Sequence, residues 1–171
     1  MKKQKSNIML IGMPGAGKST IGVLLAKQSS KNFIDTDVLI QVNHGQGLQD
    51  IVNKDGFLAL RKIEEDVLLS MNCVNFVIAT GGSAVYSEKA MLKLKADATT
   101  VYLDVPLDEL KRRVNNFETR GITKRPDQTF EDLFQERLML YKKYADIIIP
   151  CSQNNQDDLA ALICRELETS D

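Results

Sequence analysis

The densest chemistry in this chain lies near its amino terminus. Gly12-Met-Pro-Gly-Ala-Gly-Lys18-Ser19 fills every position of the GxxxxGK[ST] pattern, with Thr20 following. In such a loop Gly15 and Gly17 let the backbone curl until its N–H groups point inward at phosphate oxygens, and a helix starting there adds its positive end. Lys18 would reach the β- and γ-phosphates of ATP, and the Ser19 hydroxyl would bind Mg²⁺. Gly12, Ala16 and Thr20 complete the candidate nucleotide-binding set. Short glycine patterns arise by chance at ordinary turns, but the full pattern, between an apolar run and a helical one, reads as a nucleoside triphosphate site.

A pair of acids comes next. In Phe33-Ile-Asp35-Thr-Asp37, alternation along an extended segment puts both carboxylates on one side. At the carboxyl end of a strand one could hold a water on Mg²⁺ and the other accept a hydrogen bond from a substrate hydroxyl. The bland alternative is two solvated strand-end aspartates.

The apolar pattern shows what must hold these groups. Asn7-Ile-Met-Leu-Ile-Gly12 is short, aliphatic and closed by glycine, as expected for a strand buried on both faces of a parallel sheet. A helix is predicted over residues 19–29, from the spacing of Ile21, Leu24 and Leu25. Further strand-like runs stand at 32–35, 76–80, 100–104 and 146–150, with amphipathic stretches between most of them. Five strands alternating with helices predict an α/β fold, a parallel sheet with helices on both faces, in one domain over residues 1–171. A glycine-containing segment at 44–47 precedes a predicted helix over 55–70 with Leu60, Ile63, Val67 and Leu68 on one face. Residues 115–129 are polar with Gly and Pro, and read as an exposed, mobile loop between two helices. A closing helix is predicted over 156–167.

In this order the elements resemble the shikimate kinase family, whose members carry a P-loop, an FxDxD strand end, an Arg-x-x-Glu helix and a TGGG turn. Here these are Gly12 to Ser19, Phe33 to Asp37, Arg61-Lys-Ile-Glu64 and Thr80-Gly81-Gly82-Ser83, and the likeness spans nearly the whole chain. Arg125-Pro126 is similar to the family's lid, and Glu136-Arg137-Leu-Met-Leu-Tyr141 to its Arg-x-x-Leu-Tyr helix. The resemblance implies a P-loop kinase fold and transfer of the γ-phosphate of MgATP to shikimate, giving shikimate 3-phosphate. It implies that Asp35 orders the Mg²⁺ shell and that Asp37 accepts from the hydroxyl being phosphorylated. Arg61 and Arg137 would grip the acceptor's carboxylate, beside Gly81, Gly82 and Ser83. Arg125, from the lid, would stabilise charge on the transferred group, and Arg120 would meet the adenine or the phosphates. Guanidinium forks suit the first task because they bind carboxylates bidentately. Without the family, each arginine reads as a surface ion-pair member and the glycines as a tight turn.

The chain also departs from that pattern. Ser83 stands where a third glycine is expected, and Phe57 where an acidic residue commonly follows the glycine. The segment 115–125 is longer than usual, and Arg125-Pro126 continues into Asp127-Gln-Thr rather than into apolar residues. A kinase of another small hydroxy acid, such as homoserine, could keep the same loop and arginines around a reshaped pocket. A nucleotide-binding protein that has lost transfer is the other alternative, and the intact Lys18, Ser19, Asp35 and Asp37 argue against it.

Composition bounds the remaining classes. With 171 residues, 43% apolar and 26% charged, the chain can bury a sizeable core. A net charge of −1 gives no bulk attraction to nucleic acid or anionic lipid, so phosphate recognition must be local. Cys73, Cys151 and Cys164 lack paired spacing and read as free thiols in a reducing compartment. Lys2, Lys3 and Lys5 precede an apolar run too short for a signal peptide or a membrane span, which predicts a cytoplasmic protein. A monomer is expected from the family resemblance. His44 reads as an exposed loop residue, and the basic clusters at 2–5, 111–113 and 142–143 as solvated surface.

Overall fold

The structure, a computed structural model, describes residues 5–115, 119–152 and 154–169; Lys2 and Lys3 lie outside them. Strand β1 (Asn7–Ile11) is buried along its whole length, as its aliphatic run demands. It lies at the centre of a five-stranded, all-parallel sheet of order β2-β3-β1-β4-β5. The partners are β2 (Asn32–Asp35), β3 (Phe76–Ala79), β4 (Ala98–Asp104) and β5 (Ile147–Pro150). All five runs end within a residue of expectation. β4 starts two residues early, because Ala98 and Thr99 continue the ladder opposite Asn7 and Ile8.

From β1 the chain moves outward to β2, then returns past β1 to β4 and β5. With right-handed crossovers that reversal puts α1 (Lys18–Gln28) on one face and the later crossover helices on the other. Accordingly α1 packs on α8 (Gln156–Thr169), α4 (Phe57–Ser70) meets α5 (Glu88–Lys95), and α7 (Phe130–Tyr144) lies against β4. The core runs from β1 to Leu25, Ile78, Val101 and Ile163, all fully buried. The reversal leaves a crevice outside the carboxyl end of β1, where ligands of such sheets sit.

Between β2 and β3 the structure departs from the sequence expectation. Residues 36–55 form two helices, α2 (Thr36–His44) and α3 (Leu48–Asp55). Gly45, with φ 64°, ends α2, and Gly56, with φ 86°, separates α3 from α4, so the helix predicted over 55–70 starts at Phe57. These helices close over a small apolar cluster of Ile40, Ile51, Leu60 and Val67. Its members are too sparse along two short helices to make a periodic signal. His44 therefore ends a helix rather than sitting in a loop, though it is exposed as expected.

The stretch between α6 (Leu107–Arg113) and α7 is not uniformly exposed. Gly121, Thr123 and Gln128 are buried, whereas residues 116–118 of the expected lid lie outside the described residues. Among the described residues, no helix is long and apolar enough to cross a membrane.

Candidate active site

The phosphate loop owes its shape to left-handed backbone at Gly15 (φ 85°) and Gly17 (φ 93°), where a side chain would be strained. Gly17 caps α1, and the loop opens on a cavity of about 420 Å³ lined by Gly15, Gly17, Lys18, Ser19 and Thr20. Gly12 and Ala16 do not reach that wall. Ala16 is buried in the core and donates its N–H to the Met13 carbonyl, 3.1 Å away, which shapes the loop. A side chain at Gly12 would meet the Leu103 carbonyl at 3.0 Å, so that glycine too serves packing.

Lys18 Nζ is buried and donates to the carbonyls of Gly12 (2.7 Å) and Met13 (2.9 Å). Burial lowers its pKa from 10.5 to about 8, against the opposing pull of the Asp37 carboxylate. Its ammonium is thus held by the loop's own carbonyls.

Asp35 and Asp37 do not share one side of a strand. Asp35 ends β2 and its Oδ1 accepts from the N–H groups of Asp37 (2.9 Å) and Val38 (3.2 Å), which caps α2 and turns the chain into a helix. Asp37 sits in the first helical turn and lines the cavity. The other oxygen of Asp35 accepts a short hydrogen bond from Ser19 Oγ. A hydroxyl backed by a carboxylate is the kind of hard oxygen donor set that Mg²⁺ takes when phosphate and water fill the rest of its shell. Among the described residues, no cluster of three or more His, Cys, Asp or Glu could hold a metal by itself.

Opposite the loop, β3 runs out into Thr80-Gly81-Gly82-Ser83. Thr80 Oγ1 donates to the Leu10 carbonyl (2.8 Å), the Gly81 N–H to Thr36 Oγ1 (3.2 Å), and the Tyr141 hydroxyl to the Gly82 carbonyl (2.7 Å). A Cβ at Gly81 would fall 2.7 Å from Asp37 Oδ1 and nearer still to Glu64 Oε1, and one at Gly82 would fall 2.6 Å from Arg137 Nη1. The glycines therefore admit three charged side chains of the protein itself. Ser83 Oγ donates a short hydrogen bond to Glu64 Oε2, while Glu64 Oε1 is buried with no hydrogen-bond partner among the described residues. Burial raises the Asp37 pKa to about 6; burial, and next the charge of Asp37, raise that of Glu64 to about 7.

The expected arginines divide. Arg137, 1% exposed, donates from Nη2 to the Thr123 carbonyl (2.8 Å) and to Thr123 Oγ1 (3.2 Å). Arg61 Nη2 approaches the same carbonyl at 3.5 Å. Arg61 borders not the main cavity but an adjoining one of about 370 Å³, shared with Glu64, Ser83 and Tyr86. Arg120 lines the main cavity. Arg125 does not reach it: its Nη1 donates to Glu136 Oε2 (3.2 Å), and its side chain stays exposed. Glu136 also accepts from Gln128 Nε2 (3.1 Å) and from the Tyr86 hydroxyl (2.5 Å), so it holds the arginine back at the base of the lid.

Some residues of the site carried little signal in the sequence. Glu64 could have been found, three positions after Arg61 on the buried face of α4. Arg113, read as solvated, instead donates from Nη1 to the Gly15 carbonyl (3.3 Å), is steadied by Glu109 and lines the cavity. Tyr86 gave no signal at all.

Residues 14–168 match the family model described as Shikimate kinase. The chain is 35% identical over 167 residues to a shikimate kinase of Nitrosospira multiformis, covering 96% of this chain and 86% of that one. It is 37% identical over 161 residues to a shikimate kinase of Clostridium botulinum, covering 92% and 94%. Among solved structures, it resembles a shikimate kinase from Acinetobacter baumannii in complex with shikimate, with a TM-score of 0.90 and 30% identity over 99% of this chain and 96% of that one. It also resembles the shikimate kinase of Aquifex aeolicus, with a TM-score of 0.82 and 34% identity over 96% and 97%.

Proposed function

The chain belongs to the shikimate kinase family, and we propose that the residues just described carry out its ATP-dependent phosphorylation of a shikimate hydroxyl. The observation that carries this reading is a shared cavity: Lys18 and Ser19 of the phosphate loop face the same space as Asp37, Gly81 and Arg137. Donor and acceptor can then meet in line, and positioning with electrostatics supplies most of the rate.

The nucleotide's phosphates lie on the loop's N–H groups and the start of α1, with Lys18 on the β- and γ-phosphates. Ser19, with Asp35 behind it, would hold Mg²⁺, which supplies positive charge against the phosphate oxygens. Arg137 takes the acceptor's carboxylate together with Arg61, and so orients the ring. Asp37 receives the proton as the acceptor oxygen bonds to the γ-phosphorus and the bond to the β-phosphate oxygen breaks, releasing ADP. Arg113 and Arg120 lie toward the nucleotide, and Arg125 joins the transferred group once the lid closes and Glu136 lets it go. Closure also excludes water, the competing acceptor.

The same reading takes the chain as one domain acting as a cytoplasmic monomer. The location is supported by the three free cysteines, which suit a reducing compartment.

The test is ADP release from MgATP by the purified protein with shikimate, homoserine, gluconate or no acceptor. Stimulation by shikimate alone is expected. Stimulation by another acid instead would move the substrate, and none by any would leave a nucleotide binder.

A further inference from the structure

The two arginines assigned to the acceptor's carboxylate are themselves seated on neutral groups. Arg137 donates to the Thr123 carbonyl and hydroxyl and, from Nε, to the Tyr86 hydroxyl at 3.4 Å. The Arg61 guanidinium lies over the Tyr86 ring, 3.7 Å from its centroid, with the Phe57 ring 5.3 Å away. The guanidinium of Arg137 is 5.4 Å from the same Tyr86 centroid. Two cations converging on the Thr123 carbonyl repel each other, and the Tyr86 side chain also touches both.

We infer that Tyr86 is a positioning residue that sets the distance and angle between Arg61 and Arg137, and thereby fixes the preference for an acceptor bearing a carboxylate. The inference rests on the proposed role of the two arginines. An aromatic face attracts a guanidinium without using its N–H donors, which leaves the edge of Arg61 free for a ligand. Indeed Arg61 Nε is buried with no hydrogen-bond partner among the described residues. The Tyr86 hydroxyl donates to Glu136, which turns its lone pair toward Arg137 Nε and leaves the Nη groups of that arginine for the lid or the acceptor. An acidic residue here would neutralise the arginines and compete with the acceptor. An aliphatic one would let them drift apart. The short 3-10 turn Ala84–Tyr86, which follows Ser83 directly, ties this platform to the wall of the acceptor site.

Steady-state kinetics of Tyr86→Leu and Tyr86→Phe decide the matter, with shikimate and with its carboxamide analogue as acceptors. Tyr86→Leu is expected to raise the KM for shikimate about tenfold, with kcat and the KM for ATP changed less than about twofold. Tyr86→Phe, which keeps the ring, should restore most of the loss and leave about a threefold rise. With the carboxamide, both variants should match the unmodified protein, because the arginines there have no charge to grip. An unchanged KM for shikimate, or equal rises for shikimate, carboxamide and ATP, would overturn the inference, the second by marking a merely structural role. If Tyr86→Leu fails to fold, Tyr86→Phe decides alone: a rise with shikimate but not with the carboxamide supports the inference, and no rise with shikimate overturns it. Absence of shikimate turnover in the unmodified protein would instead remove the functional reading, and this inference with it.

Discussion

The backbone carbonyl of Thr123 lies 2.8 Å from Nη2 of Arg137. On the proposed reading, a lid atom fills the place that an acceptor's carboxylate oxygen would take between Arg61 and Arg137, and the acceptor would displace it to bind. The lid is moored nearby, where the Gly121 N–H donates to Gln49 Oε1 at 2.8 Å on α3. Gln49→Ala cuts that mooring. The KM for shikimate should fall by about two- to fivefold, the worth of one modest hydrogen bond no longer holding the competitor in place. Initial rates at saturating ATP measure it, and an unchanged KM would mean that the carbonyl yields at no cost.

Asp37 faces the cavity from the first turn of α2, where its charge acts on Lys18 of the phosphate loop but is opposed by the burial of both groups. Asp37→Asn keeps the size of the side chain and removes the proton acceptor. Turnover should fall about 100-fold or more, while the affinity for ATP, measured by calorimetry, stays near normal. Turnover at the unmodified rate would take Asp37 out of the chemistry.

How much of this could be read in the sequence follows from where the signals are local. The loop Gly12 to Ser19 and the strands flanking it need only neighbouring residues to declare themselves, and all five strands stand where the apolar runs put them. Alternation puts Asp35 and Asp37 on one side of a strand, which is not their geometry, because an aspartate at a strand end caps a helix as readily as it extends a strand. The helices α2 and α3 were missed since their burial depends on four residues scattered from Ile40 to Val67. Tyr86, Thr123 and Glu136 belong to the site through contacts 14 to 51 residues apart in the chain, which no window of sequence contains. The family pattern puts Arg125 in the lid, and the structure holds it on Glu136.

Arg61 contributes both a charge and a flat face. Arg61→Lys retains the first and loses the second, together with the forked donors. The KM for shikimate should rise about tenfold with the KM for ATP unaffected, since Arg61 borders the adjoining cavity whereas the phosphate loop opens on the main one. Equal losses for both ligands would show that Arg61 holds up the fold around α4 instead of the acceptor.

Glu64 links the site to stability through pH. Its pKa moves from the usual 4.5 to about 7, first by burial and then by the charge of Asp37, against the smaller opposing effect of the Ser83 hydrogen bond. Between those two values the folded chain holds a proton that the unfolded chain has lost, so this group's contribution to stability falls as pH rises from about 4.5 to about 7. Asp37, raised to about 6, acts with the same sign and stays in place in the variant. Glu64→Gln removes the share of Glu64 and keeps an oxygen for Ser83 Oγ to donate to. Relative to the unmodified protein, the variant's thermal midpoint should therefore climb by about 3 °C or more between pH 4.5 and pH 8, whatever the offset at the acid end. Melting curves followed by circular dichroism across that range measure it. A difference that stays constant with pH would mean that Glu64 ionises alike in both states, and that burial beside Asp37 costs its charged form nothing.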